Sequence, residues 1–303
     1  MSENNRHKLG LELKKKAYKL RITELEMMRD AETSGHYGGS MSVMDILTVL
    51  YFGVMRLDPA NPDWENRDRF ILSKGHACNA LATVLADKGF ISGEILATFN
   101  KLDSPLGQHP DRNKIRGCDA STGSLGHGAA LAVGMAMAGK VLEKNYRVYT
   151  VLSDGEMAEG STWEAIEIAS HFKVDNVCGT IDRNGLSLDG PTEGPGVLGE
   201  RGFEGTMTLE PLSKKLALFG WHVIECDGHD FSQLLGAYEE AAKTKGKPTM
   251  IVADTVKGKG ISFIEDRYEW HYGQFSAEQY ELAVGELAAV VKKLEQELEQ
   301  QLS

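Results

Sequence analysis

Two short β-branched runs, residues 148–152 and 177–181, are each followed within a few residues by an oxygen-bearing side chain, Asp154 in Ser-Asp-Gly and Asn184 in Asp-Arg-Asn-Gly. If the runs are neighbouring parallel strands, the two oxygens lie together beyond their carboxyl ends, where open α/β sheets bind ligands. A pair of oxygen ligands suits a hard cation. Gly155, with a helix beginning soon after it, offers an anion a close backbone approach and free N–H groups. The chemistry implied is a phosphate held together with its metal. Three histidines stand in polar, glycine-rich segments: His36 in Ser34-Gly35-His36-Tyr37-Gly38-Gly39, His76 after Ser73-Lys74-Gly75, and His109 before Pro110-Asp111. A single loop histidine is more often a cap or a surface residue. An imidazole nevertheless changes charge near neutral pH and can move protons.

The elements that must hold these groups alternate. Residues 8–33 read as a helix ending at the glycine-rich loop 34–39, and residues 42–55 as a second helix with Ser42 as its N-cap. Residues 102–122 are irregular. The small residues of a helix predicted over 129–143 imply tight burial on all sides. The central unit is strand 148–152, helix 158–170, strand 177–181. A loop at 189–205 follows, then a helix near 209–219, a strand at 221–226, a helix near 231–245 and a strand at 249–255. The order predicts an α/β fold, a doubly wound, mostly parallel sheet with helices on both faces. Residues 1–275 are expected to form one domain, and residues 276–303 a tail helix.

Composition narrows the partners. The 303 residues carry a net charge of −11 with no basic block, which argues against nucleic acid. Charges interrupt every apolar run near the N-terminus, so neither a signal segment nor a membrane span is expected. Cys78, Cys118, Cys178 and Cys226 are widely spaced, as suits reduced thiols and a cytoplasmic location. Lys14-Lys15-Lys16 reads as a solvated helix face and Met135 with Met137 as packing. Gly126-x-Gly128 follows no β-run, so a nicotinamide cofactor is discounted.

The segments SGHYGG, RDRFILSKGHA, GQHPD, STGSLGHG, SDGEMAEGSTWEA, NVCGTIDRNGLSLDG and TVKGKGISFIEDRYEWH, in that order over residues 10 to 275, resemble those of transketolase. Asp-Gly with Asn about thirty residues later resembles its thiamine-diphosphate motif. The resemblance implies the thiamine-diphosphate-binding fold, in its diphosphate-binding (PP-type) domain, with thiamine diphosphate and Mg²⁺ or Ca²⁺ as cofactors. Asp154 and Asn184 become metal ligands with the carbonyl of Leu186. Gly155, His76, Lys257 and His271 become diphosphate contacts. Gly123 and Leu125 line the cofactor rings, and Leu188 packs on the thiazolium. Glu159 matches a glutamate that bonds the activating glutamate of the opposing domain. His36, His76, His109 and His271 match groups that bind donor hydroxyls and move protons, while His127 stands where glutamine is frequent.

The chain ends where such an enzyme would continue into its pyrimidine-binding domain. The resemblance therefore implies an N-terminal subunit, inactive without a separate C-terminal-type subunit that supplies the activating glutamate, in an α₂β₂ assembly. The reaction expected is transfer of a two-carbon ketol unit from a ketose, itself a sugar phosphate or a modified sugar, to an aldose. Ser153, Tyr37 and Gly185 depart from the family pattern. Tyr37, where proline is usual, is expected to narrow the donor channel. The rivals are half of a deoxyxylulose-phosphate synthase-like or 2-oxo-acid dehydrogenase-like enzyme, and a non-catalytic regulatory or binding subunit.

Overall fold

The computed structural model describes residues 3–188, 190–192, 198–199, 202–203 and 207–300. The helices and strands run α1 (Glu3–Ala31), α2 (Tyr37–Val49), β1 (Arg69–Leu72), α3 (Cys78–Lys88), α4 (His127–Val141), β2 (Val148–Ser153), α5 (Gly160–His171) and β3 (Val177–Arg183). They continue with β4 (Leu198–Gly199), β5 (Gly202–Phe203), α6 (Leu212–Leu218), β6 (His222–Asp227), α7 (Phe231–Lys243), β7 (Thr249–Asp254) and α8 (Ala277–Gln300). β2 is buried at every position, the pattern of a strand covered on both sides. It belongs to a five-stranded sheet of order β1-β2-β3-β7-β6, parallel throughout. β4 and β5 form a separate antiparallel pair inside the segment read as a loop, most of which lies outside the described residues.

Alternate strand residues face opposite layers, because successive side chains of a strand point to opposite faces. Phe70, Leu72, Tyr149 and Val151 join the core beneath α1, α2, α3, α7 and α8. Ile71, Val148, Leu152 and Ile181 join the core beneath α4, α5 and α6. The sheet is therefore doubly wound, as expected. α8 is no loose appendage: Tyr280, Ala283, Leu287 and Val291, three to four residues apart, put one stripe into the first core.

Two sequence expectations give way. The predicted loop 34–39 ends early, because α2 already begins at Tyr37, and Ser42 lies buried inside that helix instead of capping it. Gly38 and Gly39 are there for close packing: a Cβ on Gly38 would come within 2.9 Å of the Lys257 side chain, and one on Gly39 within 3.2 Å of His76. α4 is buried on one face only. Leu131, Val141 (81% exposed) and, just past the helix, Leu142 face outward. Small residues give a helix close packing on the side that meets the sheet, and say nothing of its other side. The 18-residue stretch Tyr37–Val54 is apolar and long enough to cross a membrane, but 83% of it is buried in the fold, and its hydropathy is that of a core helix.

Candidate active site

Ser153 pairs with Asp182, and Arg183 with Asp254, so three central strands end level. Asp154 follows β2 directly and Asn184 follows β3 directly, which brings both into one cavity of about 320 Å³. The same cavity is lined by Leu125, Gly155, Glu159, Leu186, Leu188, Lys257, His76 and His271. Larger hollows of about 680 and 660 Å³, between α1 and α7 and along α5 and α6, hold none of these residues. Gly123, His36 and His109 stand beside the cavity. A Cβ on Gly123 would lie 3.3 Å from the His109 ring, and the His36 ring centroid lies 5.3 Å from His76, 5.5 Å from His271 and 6.2 Å from His109. His127, exposed at the start of α4, does not line the cavity.

The oxygen donors are already ordered. Asp154 accepts from the backbone N–H of Gly155 (2.8 Å) and of Gly185 (2.6 Å), and Asn184 Oδ1 accepts from Leu186 N–H (3.2 Å). Gly185 has φ +76°, a backbone state glycine reaches without a Cβ penalty. Burial and the nearby charge of Asp182 push the Asp154 carboxyl above its ordinary pKa, against those two hydrogen bonds. A cation at this place would relieve that. Among the described residues no three His, Cys, Asp or Glu side chains cluster as metal ligands. The donor set here is instead one carboxylate, one amide and one carbonyl, which fits a hard cation whose remaining ligands come from phosphate and water.

Lysine ammonium groups stand close to this set, one of them on the Leu186 carbonyl itself. Lys257 Nζ donates to the carbonyls of Leu186 (3.0 Å) and Ser187 (3.3 Å) and lies 2.9 Å from His271 Nδ1. Burial, with the Lys74 charge, pulls the Lys257 pKa down to about 8. Among the described residues no carboxylate pairs with this ammonium. The same burial holds His36 near a pKa of about 4 and His271 near about 3, and lowers His76 and His109 as well. Each shift favours the neutral imidazole, which has one nitrogen to donate and one to accept, and His271 Nδ1 already accepts from Lys257. Among the described residues His36 Nδ1 is buried with no hydrogen-bond partner, beside the cavity. The fit to a diphosphate with its metal at one end, and to a polyhydroxylated substrate at the other, is good.

Several residues of this site escaped the sequence reading. Lys74 is fully buried, donates to Asp182 Oδ2 and to the carbonyl of Gly39 (2.9 Å), and lines the cavity. Despite burial, the Lys74 ammonium and the hydroxyls of Ser42 (2.6 Å) and Thr255 hold Asp182 below the ordinary carboxylate range. Glu156 accepts from the Ser73 hydroxyl and from Gly126 N–H (2.7 Å), tying the β1 and β2 loops to the start of α4. Their sequence signal was only adjacency: Lys74 sits two residues before His76, and Asp182 two before Asn184. Tyr37 corrects the expectation of a narrowed donor channel. Its ring turns away from the histidines and stacks on Phe275 at 4.2 Å. The aromatic residue at the histidine cluster is Tyr272, half exposed, with its ring centroid 4.8 Å from that of His36.

A parallel sheet whose strand ends present an oxygen-lined cavity beside a histidine cluster is the arrangement expected of a thiamine-diphosphate-binding domain. Residues 13–287 match the family described as "Transketolase, thiamine diphosphate binding domain", and the chain belongs to that family. It is 39% identical over 287 residues to an apulose-4-phosphate transketolase subunit of Phocaeicola vulgatus, covering 95% of this chain and 97% of that one. It is 41% identical over 253 residues to the 6-deoxy-6-sulfo-D-fructose transketolase subunit SqwG of Clostridium sp. (strain MSTE9), covering 84% and 88%. Transketolase from Campylobacter jejuni superposes with a TM-score of 0.81 at 31% identity, over 91% of this chain and 42% of that one. The chain thus spans less than half of that transketolase, and 39% of human transketolase.

Proposed function

We propose that this chain is the diphosphate-binding subunit of a two-polypeptide transketolase, working in the cytoplasm with a C-terminal-type subunit that completes the site. The observation that carries the reading is one cavity that brings metal-type oxygen donors and buried lysines together beside a cluster of four histidines. Asp154, Asn184 and the Leu186 carbonyl would hold Mg²⁺ or Ca²⁺, and Gly155 N–H, His76, Lys257 and His271 the diphosphate. Leu125, Gly123 and Leu188, the last 60% exposed at the cavity wall, would face the rings. When bound, thiamine diphosphate supplies the electron sink that lets a ketose break its C2–C3 bond.

The chain's own share is binding and proton handling. His36, His76 and His109 can each donate to a sugar oxygen through one nitrogen and take a hydroxyl proton through the other, while His271, whose Nδ1 accepts from Lys257, has its Nε2–H to donate. Glu159 is exposed at the cavity rim, where a carboxyl group of a neighbouring subunit can reach it. A partner subunit is further supported by the relatives, two of which are named as subunits and match this chain over most of their length. A ketose phosphate, or a sugar modified as in those relatives' names, is the donor class. The test is to purify the chain with whatever binds it and to assay ketol transfer with thiamine diphosphate and metal added or withheld. Activity that persists without the cofactor, or conversion of pyruvate but not of ketoses, would rule the reading out.

A further inference from the structure

One buried charged group outside the cavity lining is wired to the cavity through the chain. Asp45, on α2, accepts from Arg21 Nη1 at 2.6 Å through one oxygen and meets His229 Nδ1 at 2.7 Å through the other. Arg21 is itself fixed by the carbonyl of Met41 (2.7 Å). Burial opposes the Asp45 charge, but Arg21 and His229 outweigh it and bring its pKa down to about 2. An ionised Asp45 can only accept, so the proton between the two sits on His229 Nδ1. His229 Nε2 is then a lone pair, and it accepts the backbone N–H of Val256 at 2.9 Å. The next residue is Lys257.

We propose that His229, set in one tautomer by Asp45, is a positioning residue for Lys257, fixing the backbone from which the ammonium reaches the Leu186 and Ser187 carbonyls. The neighbouring residues leave that N–H to His229. Thr255 N–H goes to the Arg183 carbonyl (3.1 Å) and Gly258 N–H to the Gly38 carbonyl (2.9 Å), so each is satisfied by backbone. Val256 N–H instead goes to a side chain, from the turn between β6 and α7. The loop after β7 is thereby pinned at three points, two of which involve α2, the helix that also carries the close-packed Gly38 and Gly39.

The inference rests on Lys257 as a diphosphate contact, and the variants separate the two. His229→Asn keeps a donor for Asp45 but removes the acceptor for Val256, while the longer His229→Gln restores an amide oxygen near the Nε2 position. With thiamine diphosphate and Mg²⁺ titrated calorimetrically into the full chain with its co-purifying subunit, His229→Asn is expected to weaken binding roughly tenfold, the scale of one lost buried hydrogen bond. His229→Gln should recover most of that loss. In a Lys257→Met background His229→Asn should cost nothing further, since it acts through the missing ammonium. An equal loss in that background, or no rescue by glutamine, would overturn the positioning role; a Lys257→Met chain that binds cofactor as the parent does would instead overturn the diphosphate reading. Hydrogen exchange of the unmutated chain is the check that needs no variant. Slow exchange at Val256 supports the bond, and exchange as fast as an open loop amide refutes it.

Discussion

The cavity at the strand ends and the outer face of α4 handle burial in opposite ways. Around the cavity, groups that water would stabilise are shut away from it: Lys74 and Asp182 are fully buried, and so is Glu24, which accepts from Ser40 and Asn79 while its second oxygen has no partner. On α4, Leu131 and Val141, which water disfavours, lie open to it. Polar burial costs free energy unless each charge is matched, and most of these charges are matched across large sequence separations. Exposed apolar side chains cost little folding energy in themselves. The contrast teaches that the fold commits its stability where the chemistry is, and leaves the α4 surface nearly indifferent.

The largest effect expected follows from removing the metal-type carboxylate. Asp154→Ala should lower ketol transfer by about 100-fold or more, on the scale of losing an organised electrostatic contact, with loss of calorimetric thiamine diphosphate binding in the same preparation. Unchanged activity would mean that the cavity's oxygen wall has nothing to do with the cofactor.

Lys74→Met leaves Asp182 buried and unpaired, and should destabilise the chain by about 3–5 kcal/mol in denaturant unfolding. The double change Lys74→Met with Asp182→Asn should be milder than the single one, because no naked charge remains. A single variant as stable as the parent would show that the buried pair is not the source of the contrast.

Glu24 gives the pH dependence. Burial lifts its pKa from 4.5 to about 8, so between those values the folded chain holds a proton that the unfolded chain has lost. Stability from this group is full below pH 4.5 and declines as pH rises towards 8, at up to about 1.4 kcal/mol per pH unit. Glu24→Gln should flatten that part of the stability–pH curve and make the variant the more stable protein at about pH 8. A curve of unchanged slope counts against a protonated Glu24.

The smallest effect should come from α4. Val141→Lys is expected to move unfolding free energy by no more than about 0.5 kcal/mol, the usual range for an exposed position. A loss of several kcal/mol would break the comparison, since it would mean that this face packs against something within the folded chain.

Much of this was legible before any fold was seen. Asp154 and Asn184 could be placed together because each follows a strand closely, and parallel strands put their carboxyl ends side by side. His36 and His76 were read as loop histidines in glycine-rich segments, and both stand where a helix begins. Less legible was whether a glycine marks a loop or a close contact: Gly38 and Gly39 looked like the former, and the approach of Lys257 and His76 makes them the latter. The direction of Tyr37 was equally hidden, because one residue of difference on a helix turns a side chain by about 100°.

What the sequence determined by itself is the local chemistry: strand ends carrying oxygens, loops carrying imidazoles, and a periodicity that winds helices on both faces of a parallel sheet. What only the tertiary structure decided is which charges meet in the dark. Lys74 and Asp182 are 108 residues apart, and Asp45 and His229 are 184 apart. No periodicity links such positions, since their pairing depends on how the layers dock. Burial then sets their charge, because a buried ion persists only where the docked chain brings it an opposite partner.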